Sequence, residues 1–537
     1  MSPLTSVSPS PVYTSITPAA VAAFTSSNSP TVGTASSTSA PTATATSGAS
    51  ARPPAPVLPL YSASGRLSEA PASMPPIWES RQGDTLSTLM ARNIGAGQMS
   101  ERWTGLGKAL LDQASLGGGS YSQSVLLSTT ATQGNSDVQA VLRDQLHRFA
   151  SQRVDLSLTT QSGARIELHL AANADGIAVD FKLAQGTLDD DDRAAMSALG
   201  DAFEQALKGL AAQPPTLDLD GLMHLDQQHL TALDLNATLG DALQVQLHAD
   251  ASQRSVTATS AAGTMKVAVD ATSETLAGSA QQRQRAIASY LQQFDAATRR
   301  GHGDAALSDL FKDAFAQLHG GSTTPTRPGD QLAPALVADL NDRRMLSGLA
   351  DFTASITGAS VAPNPLRRDE VDGFDYQVSQ HTSLSGARQA DRSIVQQAQA
   401  RLKASYHQSL QADLPLRLGT DRQSQNYTYH QIDDQADSRL EIGYRLGYMT
   451  QARLQQSASQ DSRVSKYVLG QLVSQSHTPL QAQIVRDFAA QLQDGKEARV
   501  ADGAYRRSQL LDGISALGLL QADPDQVRRN GTQLLND

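Results

Sequence analysis

Val154-Asp155-Leu156-Ser157-Leu158, Ile166-Glu167-Leu168-His169-Leu170 and Ile177-Ala178-Val179-Asp180-Phe181 are three runs whose large apolar residues recur at every second position. Side chains on a strand point alternately to its two faces, so each run predicts a strand with one face buried. Ser162-Gly163 and Asp175-Gly176 separate the runs. There glycine is expected to supply the positive φ of a tight hairpin turn. Met196, Leu199, Phe203, Leu207 and Leu210 then follow at steps of three and four, the stripe of an amphipathic helix. Three antiparallel strands closed by a helix are therefore the founding unit, and the fold class is α+β.

Working outward, the pattern recurs downstream. Leu243, Val245 and Leu247 alternate, Ser255 to Thr259 reads as a strand, and Met265, Val267 and Val269 alternate after Ala262-Gly263. Ile287, Tyr290, Leu291 and Phe294 mark a following helix, and Leu307, Leu310, Phe311, Phe315 and Leu318 another. Two strand-strand-strand-helix units would build one antiparallel sheet over residues 77–319, with a short connector helix expected near Asp226 to Leu233. Breaker-rich residues 320–334 read as a linker. Beyond it, residues 335–537 are expected to hold a helix from Ala335 to Ile356, long antiparallel strands from Phe374 to about Leu469, and C-terminal helices. One of these helices would start at the Thr478-Pro479-Leu480-Gln481 capping box.

The N-terminal end is different. Met1 to Ala51 contains no Lys, Arg, Asp or Glu and is built of Ser, Thr, Ala and Pro, and prolines continue to Pro76. Residues 1–76 are expected to form a disordered tail and linker, because so few large apolar residues cannot offset the entropy of ordering. The tail lacks the basic start and apolar core of a secretory signal peptide. It resembles the uncharged, Ser-rich N-termini of proteins exported by bacterial type III secretion.

Composition narrows function mainly by exclusion. The 537 residues carry a formal charge of −10, which offers no general basic face for phosphates, so nucleic acid is not expected as a partner. The absence of cysteine removes disulfides, thiolate metal sites and thiol nucleophiles. No apolar run is long enough for a transmembrane helix. No G-x-S-x-G elbow, P-loop, dinucleotide fingerprint or H-E-x-x-H pattern occurs, and Asp218-Leu219-Asp220-Gly221 departs from a calcium loop in its early Gly and missing Glu. No catalytic residue, cofactor or metal ligand is assigned.

The one candidate site is a set of tyrosines on the C-terminal strands: Tyr406, Tyr427, Tyr429, Tyr444 and Tyr448. An exposed tyrosine row suits contact with a protein or cell-envelope partner, since the ring buries area while its hydroxyl stays wet. The competing reading sends these rings into the core. Gln82-Gly83-Asp84-Thr85-Leu86-Ser87-Thr88-Leu89 resembles the opening half of a LysM peptidoglycan-binding module, without a matching second half. Gly83-Asp84-Thr85-Leu86, Ser162-Gly163-Ala164, Tyr290-Leu291-Gln292-Gln293-Phe294 and Leu310-Phe311-Lys312-Asp313-Ala314-Phe315 together resemble a family of Gram-negative bacterial proteins over about residues 77 to 470. That resemblance implies a bacterial source, brings no activity and transfers no site residue. The leading expectation is a non-enzymatic interaction or structural protein. The alternatives are an exported effector or envelope hydrolase whose carboxylates and histidines meet only in the fold, and a peptidoglycan-associated protein. If the tail carries an export signal, deleting residues 2–51 stops release of the chain into culture supernatant; unchanged release removes that role.

Overall fold

The three founding runs form strands as their alternation demands. A computed structural model describes residues 75–533 except 81–82, 117–118, 129–133, 224, 227, 321–335, 412–413 and 495–499. The predicted disordered tail, up to residue 74, and nearly all of the predicted linker at 320–334 lie outside the described residues. In chain order the first elements are β1 (Ile77–Trp78), α1 (Thr85–Asn93), α2 (Met99–Arg102), α3 (Leu106–Ser115), β2 (Ser120–Leu126), α4 (Ser136–Phe149), β3 (Gln152–Thr160), β4 (Arg165–Ala172) and β5 (Gly176–Gln185). Next come α5 (Asp190–Ala198), α6 (Gly200–Leu210), α7 (Asp220–Met223), β6 (Leu230–Leu239), β7 (Leu243–Asp250), β8 (Gln253–Ser260), β9 (Gly263–Asp270), α8 (Ala280–Gly301) and α9 (Ala305–Gly320). The remainder is α10 (Leu340–Met345), β10 (Phe352–Gly358), β11 (Gly373–Ser385), β12 (Ser393–Ser409), β13 (Tyr427–Arg445), β14 (Tyr448–Val468), β15 (Gln471–Asp487), α11 (Ala489–Asp494), α12 (Val500–Gly518) and α13 (Pro524–Gln533).

All the described strands join one antiparallel sheet of fifteen, ordered β1-β2-β5-β4-β3-β6-β7-β8-β9-β10-β11-β12-β13-β14-β15. The α+β class with antiparallel sheet and packed helices is what the alternation implied. The sheet runs unbroken past residues 320–334, because β10 pairs with β9 from Phe352↔Val269 to Gly358↔Gly263. One face is apolar. Val154, Leu156 and Leu158 of β3, Ile166, Leu168 and Leu170 of β4, and Val179 and Phe181 of β5 are buried there with Met196, Phe203, Leu207 and Leu210. Farther along, Tyr290 and Phe294 of α8 and Phe311 and Phe315 of α9 meet Phe352 of β10 and Tyr376 of β11 at centroid separations of 4.8 to 6.1 Å. His319 is buried beside this cluster, and burial with the charge of Arg254 pushes its pKa down to about 3, so the ring is neutral.

Several expectations are corrected, each for an identifiable reason. Gly163 does turn with φ +85°, but Gly176 does not need a positive φ. It is small because a Cβ there would lie 2.4 Å from the Val125 carbonyl of β2, while Asn173 Oδ1 holds the turn through the N–H groups of Asp175 and Gly176. The helix after β5 is capped by Asp189 in a reciprocal box with Asp192. The connector helix near Asp226 to Leu233 is replaced by β6. A bulge shifts its pairing with β3 from Thr159↔Ala232 to Thr160↔Leu230, leaving Leu230 and Leu233 three apart as on a helix. The helix from Ala335 to Ile356 shrinks to α10, since Gly348 at φ +88° breaks it and β10 is claimed by strands on both sides. The capping box at Thr478 lies within edge strand β15, where Pro479 is tolerated because an edge has an unpaired side. The last of the expected C-terminal helices is α13, with proline as its first residue.

Away from the aromatic cluster, one buried ion network carries much of the order of the C-terminal half. Asp342 is fully buried and accepts from Arg392 Nε at 2.9 Å and Tyr444 Oη at 2.6 Å, and it closes the α10 cap on the Asp339 N–H at 2.9 Å. Arg392 lies over the Tyr444 ring at 3.7 Å. Removing Asp342 leaves the buried guanidinium only the half-exposed Asp339 at 2.6 Å and also deprives Tyr444 of its acceptor, so Asp342→Ala is expected to cost about 3 kcal/mol, read as a lowered urea midpoint.

Candidate functional site

On β10–β15 one helix-facing row is apolar or small (Ala354, Val378, Ala400, Ala436, Ala458), with buried polar Gln380, Gln396, Asp434 and Gln456 elsewhere on that face, and the residues flanking this row along each strand are polar. Strand register aligns these polar residues across the sheet. Ser355 pairs with Gln377, Gln377 with Arg401, Arg401 with Gln435, Gln435 with Ser459, and Ser459 with Gln481. One step along, Ser379, Gln399, Asp437, Ser457 and Gln483 form a parallel row. Side chains from β9 to β15 line a single hollow of 1070 Å³ on the face away from the helices, which requires the sheet to curl there into an open trough. A second hollow of 820 Å³ adjoins it along the strands, lined by Asp375, Lys403, Gln431, Asp433, Asp461 and Arg463 among others. Seven strands at about 4.8 Å spacing give an arc of roughly 30 Å.

Charges in the trough are of both signs and are held by neighbours. Asp437 Oδ2 accepts from the amides of Gln397 and Gln399 at 2.9 and 3.0 Å. Arg401 lies 3.3 Å from Asp433, and His477 2.8 Å from Asp461. These pairs are partly exposed and contribute little to stability, but they fix where donors and acceptors point.

The end of the trough is closed by the connection between β10 and β11, whose Ser360 and Val371 line it. That connection is fastened over β12–β14 by a buried polar cluster. His407 donates from Nδ1 to Asp372 at 2.6 Å and from Nε2 to Glu370 at 3.1 Å, and Tyr427 Oη donates to Glu370 at 2.6 Å. Asn364 donates to Tyr427 Oη at 2.9 Å, Ser405 donates to the Val371 carbonyl at 2.6 Å, and Arg367 lies over the Tyr467 ring at 4.2 Å. A neutral imidazole has a single N–H, so a ring with a carboxylate on each nitrogen is an imidazolium. Burial works against that charge, but Asp372 and then Glu370 outweigh it and hold the His407 pKa above its ordinary 6.5. The same clamp recurs at His147, between Asp180 and Glu79, and at His248, between Asp234 and Asp250.

The five candidate tyrosines do not make one exposed row, which corrects that expectation. Tyr427 and Tyr429 are buried under the trough-end connection, on the face opposite the α-helices. Tyr406 stacks between His302 at the end of α8 and His430. Tyr444 belongs to the Asp342–Arg392 network. Only Tyr448, beside the β13–β14 turn, stands well exposed, at 69%. Strand parity divides the set: Tyr427 and Tyr429 fall on one face of β13, and Tyr444 falls on the other with Ile442. In the segment after Trp78, Asp84 accepts from the Ser87 N–H at 2.6 Å and caps α1. Its closing strand β2 pairs with β5, which makes it part of the large sheet.

The trough residues escape a reading based on large apolar side chains, although they carry a signal of their own: Gln-Ala-Gln-Ala at 397–400 and Ser-Ala-Ser at 457–459 alternate polar with small. Among the described residues no group of three or more His, Asp or Glu is arranged to hold a metal, and no helix is long and apolar enough to cross a membrane. Comparisons of the chain with family models, with curated proteins and with solved structures give no match.

Because the folded His407 pKa is raised, its stabilising contribution is complete below 6.5 and is lost as pH climbs through the folded value. Urea midpoints measured from pH 6.5 upward should fall, and His407→Gln should make that fall shallower while His147 and His248, also raised, keep the remainder.

Proposed function

We propose that this chain is a non-enzymatic binding protein whose trough receives a hydrophilic protein or cell-envelope partner. The observation that carries the reading is the in-register polar surface spread over β9–β15. Small-molecule sites are mostly apolar and bury their ligand, whereas this surface is polar and open along its length. Rows of Gln and Ser offer donors and acceptors at strand spacing, suited to a long partner held by many modest hydrogen bonds. The mixture of Arg401, Lys403, Asp433 and Asp437 gives no uniform field, which favours a partner of mixed polarity over a polyanion.

A photo-crosslinking amino acid placed at Gln399 or Gln435, in the full chain made in its native cells, should yield a discrete adduct. The same group at exposed Gln284 on α8 should not, and Gln435→Lys with Ser459→Lys should suppress the trough adduct. Equal adducts at all three positions, or none from the trough, reject the reading.

A further inference from the structure

The sheet ends at β15. That strand pairs with β14 from Arg453↔Asp487 to Val468↔Gln471, and among the described residues no strand lies on its other flank. The flank divides into two parts. Along the later part α13 lies against the strand, with Arg528 donating to the Gln481 carbonyl at 2.8 Å and Arg486 to the Gly531 carbonyl at 3.5 Å. The earlier part is bare. Every residue from Gln471 to Gln481 is exposed, on both faces of the strand, with Leu472 at 53% and Val473 at 61%.

Register tells which main-chain groups this flank presents. The Phe488 N–H donates to the Ala452 carbonyl at 2.7 Å, so that position turns its main-chain groups toward β14. In an antiparallel ladder such positions alternate with ones whose N–H and C=O point away. The pairing is regular from Asp487 back to Ser474, which sets Gln475, His477 and Pro479 outward. Pro479, with no N–H to offer β14, occupies one of the outward positions, as it must. Long exposed edges are commonly blunted by charged side chains, lysine above all. Residues 471–485 contain no Lys, Arg, Asp or Glu, and His477 is matched by Asp461 at 2.8 Å.

A neutral strand can meet a copy of itself without like-charge contact. Setting a two-fold axis at Ser476 puts Gln475 of one copy opposite His477 of the other, so the outward N–H and C=O groups of both residues are exchanged across the seam. The Pro479 carbonyl then falls opposite Val473, and the overlap from Val473 to Pro479 stays on the bare part of the strand, clear of both α13 helices. At the far end of the sheet β1 consists of Ile77–Trp78 alone, too short to receive β15. Pairing of like with like is isologous and closes at two copies. We propose that two copies of this chain associate antiparallel through β15, about a two-fold axis at Ser476, into one continuous sheet. The pairing stands whatever the trough receives.

The chain has no cysteine, so Ser476→Cys introduces a single thiol. Residues facing each other on the axis form a non-hydrogen-bonded pair with Cα atoms about 4.5 Å apart, within disulfide reach. Mild oxidation of the full-length Ser476→Cys chain should give a disulfide-linked dimer, and Gln284→Cys on exposed α8 should stay monomeric. Sedimentation velocity of the unaltered chain should show a monomer–dimer equilibrium that rises with concentration and stops at two copies. Gln475→Pro removes an outward N–H without touching the β14 ladder and should raise the dimer Kd about tenfold. Ser476→Glu sets two carboxylates face to face on the axis and serves if the proline variant fails to fold. A chain that is monomeric at every concentration, undiminished association in a folded variant, or growth beyond two copies overturns the proposal. The trough crosslinks report on β12 and β13 and should persist in every one of these variants, so the two readings fail separately.

Discussion

The architecture depends on one aromatic contact set at the middle of the sheet. Aromatic residues are only 4% of the chain, yet Tyr290, Phe294, Phe311, Phe315, Phe352 and Tyr376 converge where α8 and α9 cross β10 and β11. Edge-to-face packing adds to the area these rings bury. Sequence separation gives the cluster its importance. The helices come directly after β9, whereas β10 and β11 lie beyond residues 321–335, so these rings join the two parts of the chain on either side of that segment. Loss of Phe294 would open a void at the centre of the set, where substitutions of this kind cost about 3–5 kcal/mol.

From that centre the two faces of the sheet acquire different tasks. The face toward α8, α9 and α12 is closed mainly by apolar and small side chains, with hydrogen-bonded Gln396, Asp434 and Gln456 buried among them, and on the other face the same strands expose glutamine, serine and paired charges. A period of two makes this division automatic: every residue that commits its neighbours to the core leaves its own side chain outside. The polar surface is thus tied to the packing behind it, and a register slip of one residue would bury the trough and expose the alanines.

How far the sequence discloses this depends on whether period two is kept. Where it is strict, as at Val154 to Leu158 or Leu440 to Ile442, strand and buried face are both legible. Where a bulge interrupts it, as at Leu230 to Leu233, two leucines take helical spacing and the reading fails. Thr478-Pro479-Leu480-Gln481 misleads for another reason: its local chemistry is that of a helix start, but pairing with β14 overrides it. The His407 cluster is invisible in the sequence because its members come from the β10–β11 connection, β12 and β13 and share no local pattern. The tyrosines are visible as residues but not as a surface, since Tyr427 and Tyr429 point to one face, Tyr406 and Tyr444 are engaged on the other, and Tyr448 stands in the open.

The order of the strands has a mechanical consequence. From β7 to β15 each strand's neighbours in the sheet are its neighbours in the chain. In an antiparallel ladder the interstrand bonds lie across the strands. Traction applied at the carboxyl end, once α11–α13 have been stripped away, would therefore load those bonds singly and in succession, like a zip. A fold of this connectivity can resist heat through its core and still yield readily to a directional pull from its last residue.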